Sequence, residues 1–388
     1  MPAALKSAVG VFTFAFAVRV LMFAWLLCAA PVHAQRPPAT IPVSADTVLE
    51  RLPKGYAALM PTRTRTATAP ALQAQQLLAA ASRTGDARLA ARADGLLQRL
   101  PSNSNDPQLL RARAFSAQHR HDFALALQTL DRLIALDARD GDARLARAQI
   151  QILQGRLDKA RSDCTTLALG IDSGRGLLCV AALSSRIGNY PAAIDVLDRW
   201  LVPSRQDIAL QRYALVMRAE AASRTAAADA DAWYQRALAL DKDDVRTMAS
   251  YARHLQAKGR HRQVMALLRN APGHDGLQLQ RALSAHAVGH PTAPELSNAQ
   301  GRRYAIARAA GSEPELRDEA EYLLTLRGDA ATALRLAQRN FETQRDVEDV
   351  AILQRAARAA KQLEALHPVQ AWARAQKLTL DPASPDEE

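Results

Sequence analysis

The sequence predicts an all-α solenoid, a superhelix of stacked antiparallel helix pairs, and three observations carry that expectation. Ala and Leu dominate an apolar content of 48%, with aromatics at only 5%, a mixture that favours many thin helical layers over one thick core. Apolar residues recur with helical period over residues 71–381, broken at short intervals by Gly, Asp or Pro. Those breaks are themselves periodic, the signature of a repeat architecture.

Residues 1–34 read as an export signal. Lys6 and Arg19 supply positive charge, residues 20–30 are an unbroken apolar run, and Val32-His33-Ala34 presents a cleavage point before Gln35. The run after Arg19 is about 11 residues, short of the roughly 20 a membrane span needs. Retention of the segment as an inner-membrane anchor facing the periplasm is the alternative. Cys28 follows Leu27, whereas lipoprotein signals carry a small residue there. Residues 35–70, with Pro37, Pro38, Pro42, Pro53, Pro61 and Pro70 among Thr and Arg, read as a leader or linker that cannot sustain a helix. Residues 382–388 form an acidic tail ending Asp386-Glu387-Glu388.

Within residues 71–381, Gly155 in LQGRLDKA and Gly188 in RIGNYPAA stand 33 apart in one local frame: apolar helix, Gly, one residue, a larger apolar residue, two residues, Ala. Gly85 and Gly328 share the frame with Ala in the apolar place, and at Gly259 Val264 replaces the Ala. The intervals 85 to 155, 188 to 259 and 259 to 328 are 70, 71 and 69, each close to two repeats. His121 and Thr225 fall where the skipped glycines belong. Gly at such a turn supplies the positive-φ helix stop, and a small residue at each crossing lets the axes approach. Residues 277–313 fit least well: Gly289, Pro291 and Pro294 predict a long turn and a second helix starting near Pro294.

This pattern resembles the tetratricopeptide repeat, whose unit of about 34 residues is a pair of antiparallel helices. The family's small residue in the first helix, turn Gly and Ala in the second helix match Ala148, Gly155 and Ala160 in one unit, and Ala181, Gly188 and Ala193 in the next. In the unit before them the matching positions are Ala114, His121 and Ala126, with Ala138 where the closing Pro belongs. The unit ends IALDARD (134–140) and LALDKDD (238–244) look like the family's Leu-Asp-Pro-Asn ending without its Pro. About nine divergent units cover the region.

The sequence carries no Gly-rich phosphate loop, Gly-x-Ser-x-Gly elbow or His-Glu-x-x-His, and the chain reads as a non-enzyme without cofactor or metal. His286 and His290 are spaced i, i+4 but end at Gly289 and Pro291 with no further ligand near, so they read as polar helix-end residues. His119 and His121 flank Arg120 and read as solvated. Once export removes Cys28, Cys164 and Cys179 remain, 15 apart across a unit junction. They read as a disulfide in an oxidising compartment, with two buried free thiols as the alternative.

The formal charge of +11 suits an acidic partner, a membrane surface or nucleic acid; export excludes the last, and a membrane enters only through a partner. The resemblance implies a concave groove lined by first helices. The family's groove positions fall on Arg111, Phe115, Gln118, His119, Arg175, Arg186, Arg212, Arg246 and Arg253. With a constant 34-residue frame, Arg175 takes the second position of its unit and Arg212 and Arg246 the fifth of the next two, which predicts an arginine ladder. The expected function is a non-catalytic periplasmic scaffold for protein–protein interaction, binding an extended acidic segment of another envelope protein in a basic groove. A structural component of an envelope export or secretion complex is the alternative.

Overall fold

The computed structural model describes residues 70–380, apart from 203–206, 226 and 310–312. The export signal, the leader up to residue 69 and the acidic tail lie outside the described residues.

The described residues form nine helix pairs and no strand. Units 1 to 3 are α1 (Pro70–Thr84) with α2 (Ala87–Leu97), α3 (Pro107–His119) with α4 (Phe123–Leu136), and α5 (Gly141–Leu153) with α6 (Leu157–Thr166). Units 4 to 6 are α7 (Ser173–Arg186) with α8 (Tyr190–Leu201), α9 (Ile208–Arg224) with α10 (Ala230–Leu240), and α11 (Val245–Ala257) with α12 (His261–Leu267). Units 7 to 9 are α13 (Asp275–Ala287) with α14 (Ala293–Ala309), α15 (Leu316–Arg327) with α16 (Ala330–Thr343), and α17 (Val347–Ala359) with α18 (His367–Gln376).

The turn chemistry is local. Gly85, Gly155, Gly188, Gly259, Gly289 and Gly328 all take φ between 61° and 79°, and His121 adopts 59° in the place of the missing glycine. Thr225 differs: at φ −92° it stays on the right-handed side, and α10 starts only at Ala230. First helices start on aspartate caps: Asp106, Asp140, Asp172, Asp207, Asp244 and Asp346 each accept a backbone N–H of the first turn. The alanines of the repeat frame are at the crossings, with Ala126, Ala148, Ala160, Ala181 and Ala193 fully buried. Each core layer joins one pair to the next first helix, as in the cluster of Leu110, Ala114, Phe123, Ala126, Leu130, Leu133 and Ile150. In the stretch that fits least well, α14 begins at Ala293, with Pro294 in its first turn, after a five-residue turn.

Cys164 on α6 and Cys179 on α7 form a disulfide across the junction of units 3 and 4. The Leu167–Ile171 segment between the two helices is a π-helical turn.

One feature of the superhelix has no counterpart in the repeat motif: it closes on itself, with units about six apart in register. The His274 ring packs on Gly85. His121 faces Glu315 at 3.4 Å and Gln344 at 3.0 Å. Trp372 Nε1 donates to Gly155 O at 3.2 Å, and Arg345 N donates to Leu153 O at 2.8 Å. Arg186 donates to Arg345 O and lies over the Trp372 ring at 5.2 Å. The amino end of α17 is thereby held against units 3 to 5. His121, expected to be solvated, is exposed and in addition bridges units, because this closure brings unit 8 onto its turn.

Candidate functional site

The first helices line an inner surface that closure divides into two adjoining cavities of about 610 and 640 Å3, with Tyr213 and Arg246 on the wall of both. The first is walled by α1, α3, α5, α9 and α11 and is largely apolar, with Phe115, Leu145, Leu210 and Val216 on its surface. Phe115 is 44% exposed, a large aromatic with no packing partner sufficient to cover it, as in a contact surface. The second is walled by α7, α9, α11 and the amino ends of α15 and α17, and holds Arg186, Arg224, Arg246, Arg253 and Arg317 against Glu220, Asp346 and Glu348.

Of the residues expected in the groove, Arg111, Phe115, Gln118, Arg212 and Arg246 line the first cavity, and Arg186, Arg246 and Arg253 the second. His119 is exposed but lines neither. Arg175 also lines neither, because its guanidinium pairs with Asp142 at 2.7 Å and Asp172 at 2.6 Å. The expected ladder of Arg175, Arg212 and Arg246 is therefore corrected. Unit 5 is longer than the constant frame allows: α9 starts at Ile208 and α11 at Val245, 37 residues on, because α9 runs to 17 residues. Arg246 is thus the second residue of its helix while Arg212 is the fifth. Arg111 and Arg212 share a register, but both turn to the next unit junction, Arg111 to Asp140 at 2.8 Å and Arg212 to Asp241 at 3.2 Å and Asp244 at 3.4 Å. Arg246 instead lies over the Tyr213 ring at 5.2 Å.

The second cavity contains polar groups that the sequence reading missed. Glu220 accepts from Ser250 at 2.6 Å, and Ser250 meets the Tyr234 hydroxyl at 3.0 Å. Burial raises the Glu220 carboxyl above its usual pKa, with Ser250, Arg246 and Arg253 opposing. Ser223 Oγ is 2.7 Å from His254 Nδ1, whose Nε2 is 3.3 Å from Asp231. Burial lowers the His254 pKa, only partly offset by Asp231. The order resembles a hydrolytic relay, but Ser223 lies within the last turn of α9, where backbone N–H groups are spent on helix hydrogen bonds and offer no oxyanion pair. Ser223 and His254 are 31 apart on successive first helices, so one repeat interval is the sequence signal that links them.

No metal-holding group of three or more His, Cys, Asp or Glu occurs among the described residues, and none of their helices is long and apolar enough to cross a membrane.

No protein-family model matches the sequence, and no curated protein matches it significantly. Solved structures do. The APC/C hetero-tetramer Cut9–Hcn1 is similar with a TM-score of 0.52 at 13% identity, over 83% of this chain and 62% of that one. A human IFIT1 dimer with PPP-AAAA gives 0.48 at 14%, over 83% and 76%. A tetratricopeptide repeat protein from Parabacteroides merdae gives 0.39 at 15%, over 65% and 99%. The chain spans less than two thirds of the Cut9–Hcn1 chain it matches. The fold of the described residues is the tetratricopeptide-repeat solenoid, in a divergent form.

Proposed function

We propose that the chain is a non-catalytic interaction scaffold that binds an extended segment of another envelope protein on its inner surface. The observation that carries this is the position of Arg246, on the shared wall of an apolar cavity and an arginine-rich one. A segment with an acidic residue beside an apolar one matches that wall. Its carboxylate would meet Arg246 and Arg253, and its apolar neighbour would rest on Phe115, Leu210 and Tyr213. Arg111, Arg175 and Arg212 are held by aspartates of the chain itself, so the acidic preference rests on the second cavity.

Export with loss of residues 1–34 belongs to the same proposal. The Cys164–Cys179 disulfide supports it, since such bonds persist in oxidising compartments. Mass spectrometry of native protein should find Gln35 at the amino terminus; an intact, membrane-bound form would favour the inner-membrane anchor. Self-closure favours a second reading, a rigid assembly component of an envelope export complex that docks through its outer face. Capture from an envelope extract with the parent and with Arg246→Gln/Arg253→Gln separates the two. The inner-surface reading requires that the double variant lose the partner while keeping its helicity and melting midpoint, and full retention would overturn it.

A further inference from the structure

We infer that the Glu348 carboxylate occupies, inside the second cavity, the place of a partner's carboxylate, so that an acidic segment binds there in competition with the chain's own side chain. This rests on the inner-surface reading above and assigns it a regulator.

The arrangement joins two pairs of neighbouring units, 5 with 6 and 8 with 9, that are far apart in sequence. Glu348 is the second residue of α17 in unit 9. Its Oε1 is 3.1 Å from Arg224 Nη2 at the end of α9 in unit 5. Arg253 of unit 6 and Arg317 of unit 8 line the same cavity. The Glu348 side chain keeps 33% exposure, so its carboxylate lies on the cavity wall, where an incoming group can reach the same cations. The wall carries five arginines and three carboxylates. Arg317 also approaches Asp349, at 3.6 Å, and Asp346 caps α17. Arg317 is thus shared with Asp349 and with Asp318 at 3.4 Å, whereas Arg246 and Arg253 form no ion pair among the described residues, so an added carboxylate would find donors there without stripping the fold of its own.

Electrostatics agree with the geometry. Burial acts to raise the Glu348 pKa, yet Arg253, Arg224 and Arg317 together bring it below the usual carboxylate range. The cluster thus stabilises a negative charge at this point, whoever supplies it. Exchange with a second carboxylate needs only a rotamer change of Glu348, because its backbone stays in the capped first turn of α17.

The test uses the mature protein and a fluorescein-labelled hexaglutamate peptide in anisotropy titrations at one fixed ionic strength, with hexaglutamine as control. Glu348→Gln removes the competing charge and should tighten hexaglutamate binding by about threefold to tenfold. Glu348→Asp keeps the charge and should bind close to the parent, Arg253→Gln should weaken binding, and hexaglutamine should bind none of them. Glu348→Met keeps the side-chain length without the charge, and carries the same expectation should the glutamine variant lose helicity. If the parent binds hexaglutamate, Arg253→Gln weakens it and Glu348→Gln leaves it unchanged or weaker, the inner-surface reading stands and the competition is overturned. If neither parent nor Glu348→Gln binds hexaglutamate, the acidic reading fails and the competition falls with it.

Discussion

Closure of the superhelix can be tested at a single hydrogen atom, by adding a methyl group at Gly155. Gly155 and Gly188 are both turn glycines in the left-handed region, at φ 68° and 79°, so alanine at either incurs a backbone penalty of roughly 1–2 kcal/mol. Their surroundings differ. A Cβ at Gly188 would meet nothing within 4 Å, whereas a Cβ at Gly155 would fall 2.6 Å from Trp372 Nε1 and 2.7 Å from its ring. The indole has to move. Doing so breaks its hydrogen bond to Gly155 O, worth about 1 kcal/mol, and uncovers part of a ring that is 8% exposed and packed edge-on against Phe341 at 5.7 Å. Complete loss of a buried Trp costs about 3–5 kcal/mol, which bounds that contribution.

Gly188→Ala should therefore cost about 1–2 kcal/mol and Gly155→Ala about 3–5 kcal/mol. Urea unfolding followed by far-ultraviolet circular dichroism measures both. The Trp372→Ala background supplies the control, because there the two glycine substitutions should cost the same. Equal costs in the parent background would refute the closed superhelix, since a Cβ at Gly155 meets Trp372 of the distant unit 9 and one at Gly188 meets nothing within 4 Å.

Three further outcomes follow from the charge and thiol chemistry. Non-reducing mass analysis should recover the Cys164–Cys179 link, and reduction should lower stability by about 3 kcal/mol for a closed loop of this length. Arg147→Ala should cost about 2–4 kcal/mol in the same unfolding assay, since it leaves the buried Asp163 with only Arg144 at 3.4 Å; Arg199→Ala, removing an exposed pair within one helix, should leave the midpoint unchanged. Burial, opposed by Arg317, pushes the Asp349 carboxyl up from 3.8 to about 6. A folded value above the unfolded one gives a contribution that is whole below pH 3.8 and lost as pH rises through about 6, so Asp349→Asn should gain about 3 kcal/mol on the parent between about pH 3.5 and 7. A pH-independent difference would refute that origin.

The helix pairs, their turns and the disulfide were legible because each is encoded within one unit or across one junction. Ala148, Gly155 and Ala160 specify their own pair, and His121 takes a left-handed φ where the period requires a glycine. Two features were not legible. The extra turn of α9 carries no marker residue, so a constant frame placed Arg246 three positions too far along its helix. Closure was hidden for a different reason: curvature accumulates from a small rotation per unit, and no motif at Gly155 announces a Trp372 that lies 217 residues away. The Arg224–Glu348 pair, 124 residues apart, was invisible on the same account.

The fate of the arginines shows why net charge alone misdescribes the groove. An aspartate that caps a first helix has its carboxylate fixed at the unit junction, within reach of an arginine on the preceding first helix. Arg111 reaches Asp140 and Arg212 reaches Asp244. Each such arginine serves as a clamp between units and adds little to the field of the inner surface. The unit after α11 is capped by His274 in place of aspartate, and both arginines of α11 that were expected in the groove, Arg246 and Arg253, line the second cavity. The unit endings DARD before α5 and DKDD before α11, against APGH before α13, already carry this difference.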